Sequence, residues 1–167
     1  RDWDSAPLRV AVVAPFRYED FRGNQTVPLI YTIVGEWRSD VVVERAFMAN
    51  TVEDYEVFCK YHVPAFTVES HRSLRDFDVL LISLSYFPCW INAVLMLHQS
   101  GIPVFWSERQ SGDWPLIVVG GGCVYGCFAS VYPVADIVFI GDAEDEEDGG
   151  LQSLLNDILE AKKKGEN

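Results

Sequence analysis

Two short stretches of this chain combine residue types that suit ligand chemistry. Ser83-Leu84-Ser85 offers two hydroxyls and is followed at once by the aromatic residues Tyr86 and Phe87. Hydroxyls at the end of a buried segment can hydrogen-bond a heteroatom held out of water. Gly120-Gly121-Gly122 is a run without side chains, against which a long or flat ligand can lie on bare backbone. Both stretches also have plain structural uses. Glycines after a strand make turns, and a buried serine can bond its own backbone. The four cysteines, Cys59, Cys89, Cys123 and Cys127, have no spacing resembling a structural zinc site, and nothing in the sequence argues for disulfides. The histidines His62, His71 and His98 are scattered, and His98 reads as a surface or packing residue of a helix.

The elements that must position these residues follow from periodicity. Leu8 to Ala14 is an apolar, β-rich run stopped by Pro15, read as a buried first strand. Residues 17–24 read as a loop, and a helix is predicted over 26–38 with Val27, Ile30, Tyr31 and Val34 on its apolar face. Val41 opens a second strand ending near Phe47. Asn50 or Thr51 then caps a helix that runs to about Tyr61, with Glu53 and Asp54 in its first turn. Phe66-Thr67-Val68 is a short extended piece. Asp78 to Leu84 is apolar almost throughout, so it belongs in the middle of a sheet covered on both faces. Pro88 opens a helix that ends at Gly101. Strands are expected at 102–105, at 116–119 and at 136–140, with a helical turn near 129–134. A last helix carries Leu151, Leu154, Leu155, Ile158 and Leu159, with acids before and within its first turn and Lys162–Lys164 in its last.

Strand and helix alternate from end to end. This pattern predicts an α/β, Rossmann-like, doubly wound and mainly parallel sheet of five to six strands with helices on both faces, in a single domain over 1–167. Ligands of such sheets bind beyond the carboxyl ends of the strands, which points to residues 15–24, 83–89, 106–114, 120–128 and 141–146.

Several ligand classes are excluded. The bulky Pro15-Phe16-Arg17-Tyr18 after the first strand leaves no Gly-x-Gly-x-x-Gly for a dinucleotide, and no Gly-x-x-x-x-Gly-Lys-[Ser/Thr] is present. The strand ends lack the acids of a phosphoacceptor domain, and no Ser/Thr/Gly-rich loop follows the first strand as a flavodoxin-type site requires. Thirteen basic residues against 25 acidic ones give a net charge of −12, with no basic stripe for nucleic acid. No apolar run reaches the roughly 18 residues of a membrane span. The expectation is a water-soluble, cytoplasmic domain. Because it begins at Arg1, it is expected to be a piece of something longer.

A further set of stretches is Arg9 to Pro15 with Tyr18 and Asn24, Val68-Glu69-Ser70, Leu74 to Asp78, Ser83 to Tyr86, Ala93 to Leu97, Gly101-Ile102-Pro103, Val119-Gly120-Gly121 and Ile140-Gly141-Asp142. In order and spacing these stretches resemble the cobalamin-binding domain at the amino end of many radical S-adenosylmethionine (SAM) proteins. The resemblance implies a flavodoxin-like fold in which the nucleotide tail of cobalamin runs down a slot. Ser83, with Ser85 beside it, and Gly120 and Gly121 would flank that slot. Tyr18, Asn24, Tyr86, Gly122, Gly141 and Asp142 complete the cofactor-binding set it implies. The loop from Phe16 to Asn24 would face the lower side of the corrin.

Two departures matter. The Asp-x-His-x-x-Gly motif that supplies a cobalt ligand in the best-known cobalamin domains is missing, since no His precedes His62. Tyr18, Arg17 or Asp20 would then be the groups nearest the metal. A radical SAM core needs Cys-x-x-x-Cys-x-x-Cys to hold a [4Fe–4S] cluster. Cys123 and Cys127 have the first spacing, but Ser130 occupies the third place, so they read as ordinary thiols. Cluster, SAM and catalysis would therefore belong to a barrel domain after Lys164, the expected partner of this module.

Three functions remain in play. One is a cobalamin-carrying module of a radical SAM enzyme, with methyl transfer as a candidate reaction. Another is a domain that kept the fold and lost the cofactor, serving as a scaffold or substrate-docking module. The last is a binder of some other small molecule.

Overall fold

The computed structural model describes residues 2–145 and 150–165. The acidic run beginning at Asp142 is covered as far as Asp145, while Glu146, Glu147 and Asp148 lie outside the described residues. Ten principal elements alternate: β1 (Arg9–Arg17), α1 (Thr26–Trp37), β2 (Val42–Met48), α2 (Val52–Lys60), β3 (Val79–Ser83), α3 (Pro88–Gln99), β4 (Leu116–Gly120), α4 (Val124–Val131), β5 (Ile137–Val138) and α5 (Leu151–Lys164). The five strands form one parallel sheet in the order β2-β1-β3-β4-β5. This is a Rossmann-like, doubly wound arrangement, and the strand order reverses between β1 and β3. Right-handed crossovers put α1 and α5 on one face and α2, α3 and α4 on the other, and α1 packs directly on α5.

The core follows the apolar runs. Every residue of β3 is buried, and Val79, Leu80 and Ile82 have almost no exposed surface. Each such side chain contributes about 1.5–3 kcal/mol relative to exposure. Thr51 caps α2 by accepting the Asp54 N–H at 3.0 Å. Leu151, Leu155 and Leu159 bury one stripe of α5, and Gly165 (φ 71°) ends it in the left-handed conformation. Lys162 on that helix pairs with Asp78 at 2.6 Å, and Asp78 also accepts the Arg9 N–H at 2.7 Å. The amino ends of β1 and β3 are thereby tied to α5.

Pro15 does not stop β1. The strand continues to Arg17, with a register irregularity against β2 between Ala14 and Arg17 that accommodates the residue without an N–H. Tyr18–Gly23, read as loop, forms a 3₁₀ turn. The extended piece at 66–68 makes only isolated antiparallel bridges, Ala46 with Thr67 and Phe66 with Ser73. Glu69 then holds Arg45 through both its backbone N–H and its guanidinium, each at 2.7 Å. The edge of β2 is covered in this way.

The strand expected at 102–105 is absent. Pro103 has no N–H, and the buried Arg109 guanidinium takes the Pro103 and Val104 carbonyls at 2.7 and 2.8 Å, removing the acceptors a ladder would use. The same guanidinium donates to the Val134 carbonyl and pairs with Asp136 at 3.0 Å. The helical turn expected near 129–134 is instead a helix beginning at Val124, directly after the glycines. The last strand shrinks to two residues, and the first turn of α5 contains no acid.

Candidate ligand cleft at the strand tips

The register of the sheet sets Ser83 at the end of β3 directly beside Gly120 at the end of β4. The two sequence stretches with ligand chemistry are therefore neighbours. A cleft of about 490 Å³ opens there, on the face of the sheet covered by α1 and α5. Ser83, Ser85, Gly120, Gly121, Gly122, Gly141 and Asp142 all line it. Counting back two residues along each strand reaches Leu81 and Val118, which lie deeper on the same face. Thr26, Leu29 and Ile30 of α1 and Leu151 of α5 form the facing wall. The slot is thus apolar in depth and polar at its rim.

Ser83 brings a buried polar atom next to the slot. Ser83 is 2% exposed, and its Oγ has no hydrogen-bond partner among the described residues, a state it shares only with Arg109 Nε. A buried hydroxyl without a partner costs about 1–3 kcal/mol. Ser83 is among the residues that line the slot, but the Oγ itself has almost no accessible surface.

The glycines serve both structure and site. Gly121 has φ +109°, and a Cβ there would meet the Leu84 carbonyl oxygen at 2.6 Å. Leu84 N–H donates to the Gly120 carbonyl at 2.8 Å, and Cys123 N–H donates to the Leu84 carbonyl at 3.2 Å. The loop therefore crosses the end of β3 backbone to backbone. Gly122 faces open space, and Gly141 (φ +140°) turns the chain at the rim.

The remaining predicted site residues take other places at the same end of the sheet. Asn24 does not line the cleft, but its amide donates to Ser85 Oγ at 2.9 Å and accepts the Val27 N–H at 3.0 Å. Tyr18 is half exposed and packs edge-on against Phe47, with ring centroids 5.0 Å apart. Tyr86 lines a separate cavity of about 680 Å³, together with Phe16, Arg17, Asp20, Val52 and Asn92. Partial burial and the neighbouring Cys89 push the Tyr86 phenol up. Arg17 and Asp20 form a two-point ion pair at 2.9 Å, which holds the Asp20 carboxyl below its usual range.

Cys127 donates to the Cys123 carbonyl at 3.1 Å. Burial, and then the adjacent Cys123, push its thiol up. Burial raises Cys89 as well. Among the described residues, no group of three His, Cys, Asp or Glu side chains is placed to hold a metal ion. No described helix is long and apolar enough to cross a membrane.

The contribution of α1 and α5 to the slot was not foreseen. The positions of Leu81 and Val118 could have been read from the alternation of strand side chains. The helical wall had no local signal, because it depends on which helices share a face.

These features define a doubly wound α/β domain with an open cleft at its strand tips. Over residues 26–167, well above half of its length, the chain matches the family described as radical SAM proteins, N-terminal. The chain belongs to that family. No curated protein matches it.

Proposed function

We propose that this domain is the cobalamin-binding module of a radical SAM enzyme. The observation that carries the reading is an apolar slot lined by Ser83 and edged by Gly120, Gly121 and Gly122, with the Ser83 Oγ buried and unpartnered just behind its surface. A nucleotide base is flat, apolar on its faces and equipped with a ring nitrogen. Those properties match a slot with aliphatic walls and one hydroxyl needing a partner. Ser83 would bind the base and Ser85 the arm above it, with backbone at Gly120 to Gly122 admitting close approach. Gly141 and Asp142 would edge the mouth. Tyr18 and Tyr86, at the same end of the sheet, would lie nearer the macrocycle.

When bound, cobalamin supplies a cobalt centre able to carry a methyl group or electrons. What this chain does is hold the tail, exclude water from the slot and leave the strand tips facing a partner domain. The cluster-bearing barrel of the radical SAM enzyme is that partner in this reading, and methyl transfer is the candidate reaction.

The test is reconstitution of the full-length protein with hydroxocobalamin, followed by desalting and a visible spectrum. Retained corrin absorbance, with no retention of cobinamide, which lacks the nucleotide arm, is the expected result. A colourless protein would leave the fold in service as a scaffold or docking module instead.

A further inference from the structure

The hydrogen bonds of Asn24 assign it a task different from contact with a ligand. Its Oδ1 accepts the Val27 N–H at 3.0 Å, close to the first turn of α1. That bond fixes which way the amide points, because a flipped amide would set two donors against each other. Its Nδ2 must then face Ser85, and it does so at 2.9 Å. Ser85 Oγ is therefore an acceptor toward Asn24, and its own hydrogen is left for another group. Ser85 lines the cleft and Asn24 does not.

We propose that Asn24 is a positioning residue that turns the Ser85 hydroxyl into a hydrogen-bond donor at the mouth of the cleft, aimed at an acceptor oxygen on the ligand's arm. This rests on the cobalamin reading above and deepens it. Ser83, two residues earlier at the end of β3, has no such partner among the described residues. The cleft thus presents one hydroxyl of fixed polarity at its rim, while that of Ser83 is covered. A ligand with an oxygen acceptor on its arm satisfies the first.

The test is a double-mutant cycle in the full-length protein, read as the dissociation constant of hydroxocobalamin alongside the melting temperature. Ser85→Ala removes the donor and is expected to weaken binding about three- to tenfold, the worth of one neutral hydrogen bond. Asn24→Asp keeps an oxygen for the Val27 N–H but replaces the donor with an acceptor. The Ser85 hydroxyl must then turn toward the carboxylate, and binding should weaken by a similar factor with the melting temperature unchanged. Asn24→Ser keeps a capping oxygen and lets the hydroxyl rotate, so it should weaken binding by a smaller factor. In the Ser85→Ala background, Asn24→Ser should have no further effect. An equal effect of Asn24→Ser in both backgrounds overturns the proposal, as does a loss of affinity that only tracks a fall in melting temperature. If the unmutated protein binds no corrin, the cobalamin reading is what has failed, and this inference falls with it.

Discussion

Ser83 pays for its position in stability, since its hydroxyl is buried without a partner in the ligand-free domain. Ser83→Ala should therefore leave the ligand-free protein as stable as before, or raise its unfolding free energy by up to about 1–3 kcal/mol. The same substitution should weaken corrin retention. Urea titration and the visible spectrum read the two effects separately. A clear loss of stability would mean that Ser83 already has a partner in the fold.

The thiols make a second residue-scale case. Burial raises Cys89 and Cys127, so the folded state holds their protons more tightly than the unfolded chain does. Their contribution to stability is complete below the ordinary thiol range of about 8.5, and it is lost as pH climbs through the raised folded values. Denaturant midpoints should fall on the alkaline side of that range. At pH 8, iodoacetamide should label the exposed Cys59 well before Cys89 or Cys127. Equal labelling rates would contradict the burial.

At the scale of elements, the segment after α3 shows where a local pattern misleads. Ile102-Pro103-Val104-Phe105 has the composition of a strand, and nothing near it in sequence says otherwise. The deciding group is Arg109, which bonds the carbonyls of 103 and 104 and pairs with Asp136, 27 residues along the chain. Asp136 also accepts the Ile117 N–H of β4 at 2.7 Å. Asp136→Ala would leave the guanidinium buried without its counter-charge and should destabilise the domain by about 3–5 kcal/mol. Urea unfolding measures this, and a change below about 1 kcal/mol would mean that the ion pair is not what holds the segment. By contrast, the start of α2 and the central place of β3 were legible, because a Thr cap with acids behind it and an unbroken apolar run are local signals.

For the whole molecule, the dominant feature is a net charge of −12. Repulsion among the excess acids opposes compaction. The ion pairs Arg17–Asp20, Arg38–Asp40 and Lys163–Glu160 lie at the surface, where water and salt screen them and each contributes little. Salt should therefore screen more repulsion than attraction. Raising ionic strength from about 0.01 M to about 0.15 M shortens the screening length from about 30 Å to about 8 Å, and the melting temperature should rise. A fall would show that attractive pairs outweigh the net charge.

The alternation of apolar runs and amphipathic stretches determined the α/β class, and the serines and glycines at strand ends could be picked out by type alone. Each of those features is local, with its period or composition contained within a dozen residues. Tertiary structure alone decided that β3 and β4 are neighbours in a register that sets Ser83 against Gly120, that α1 and α5 wall the slot, and that Arg109 dissolves an expected strand. Adjacency in a parallel sheet is made by crossovers between segments far apart in the chain, and packing against distant groups settles which polar atoms find partners.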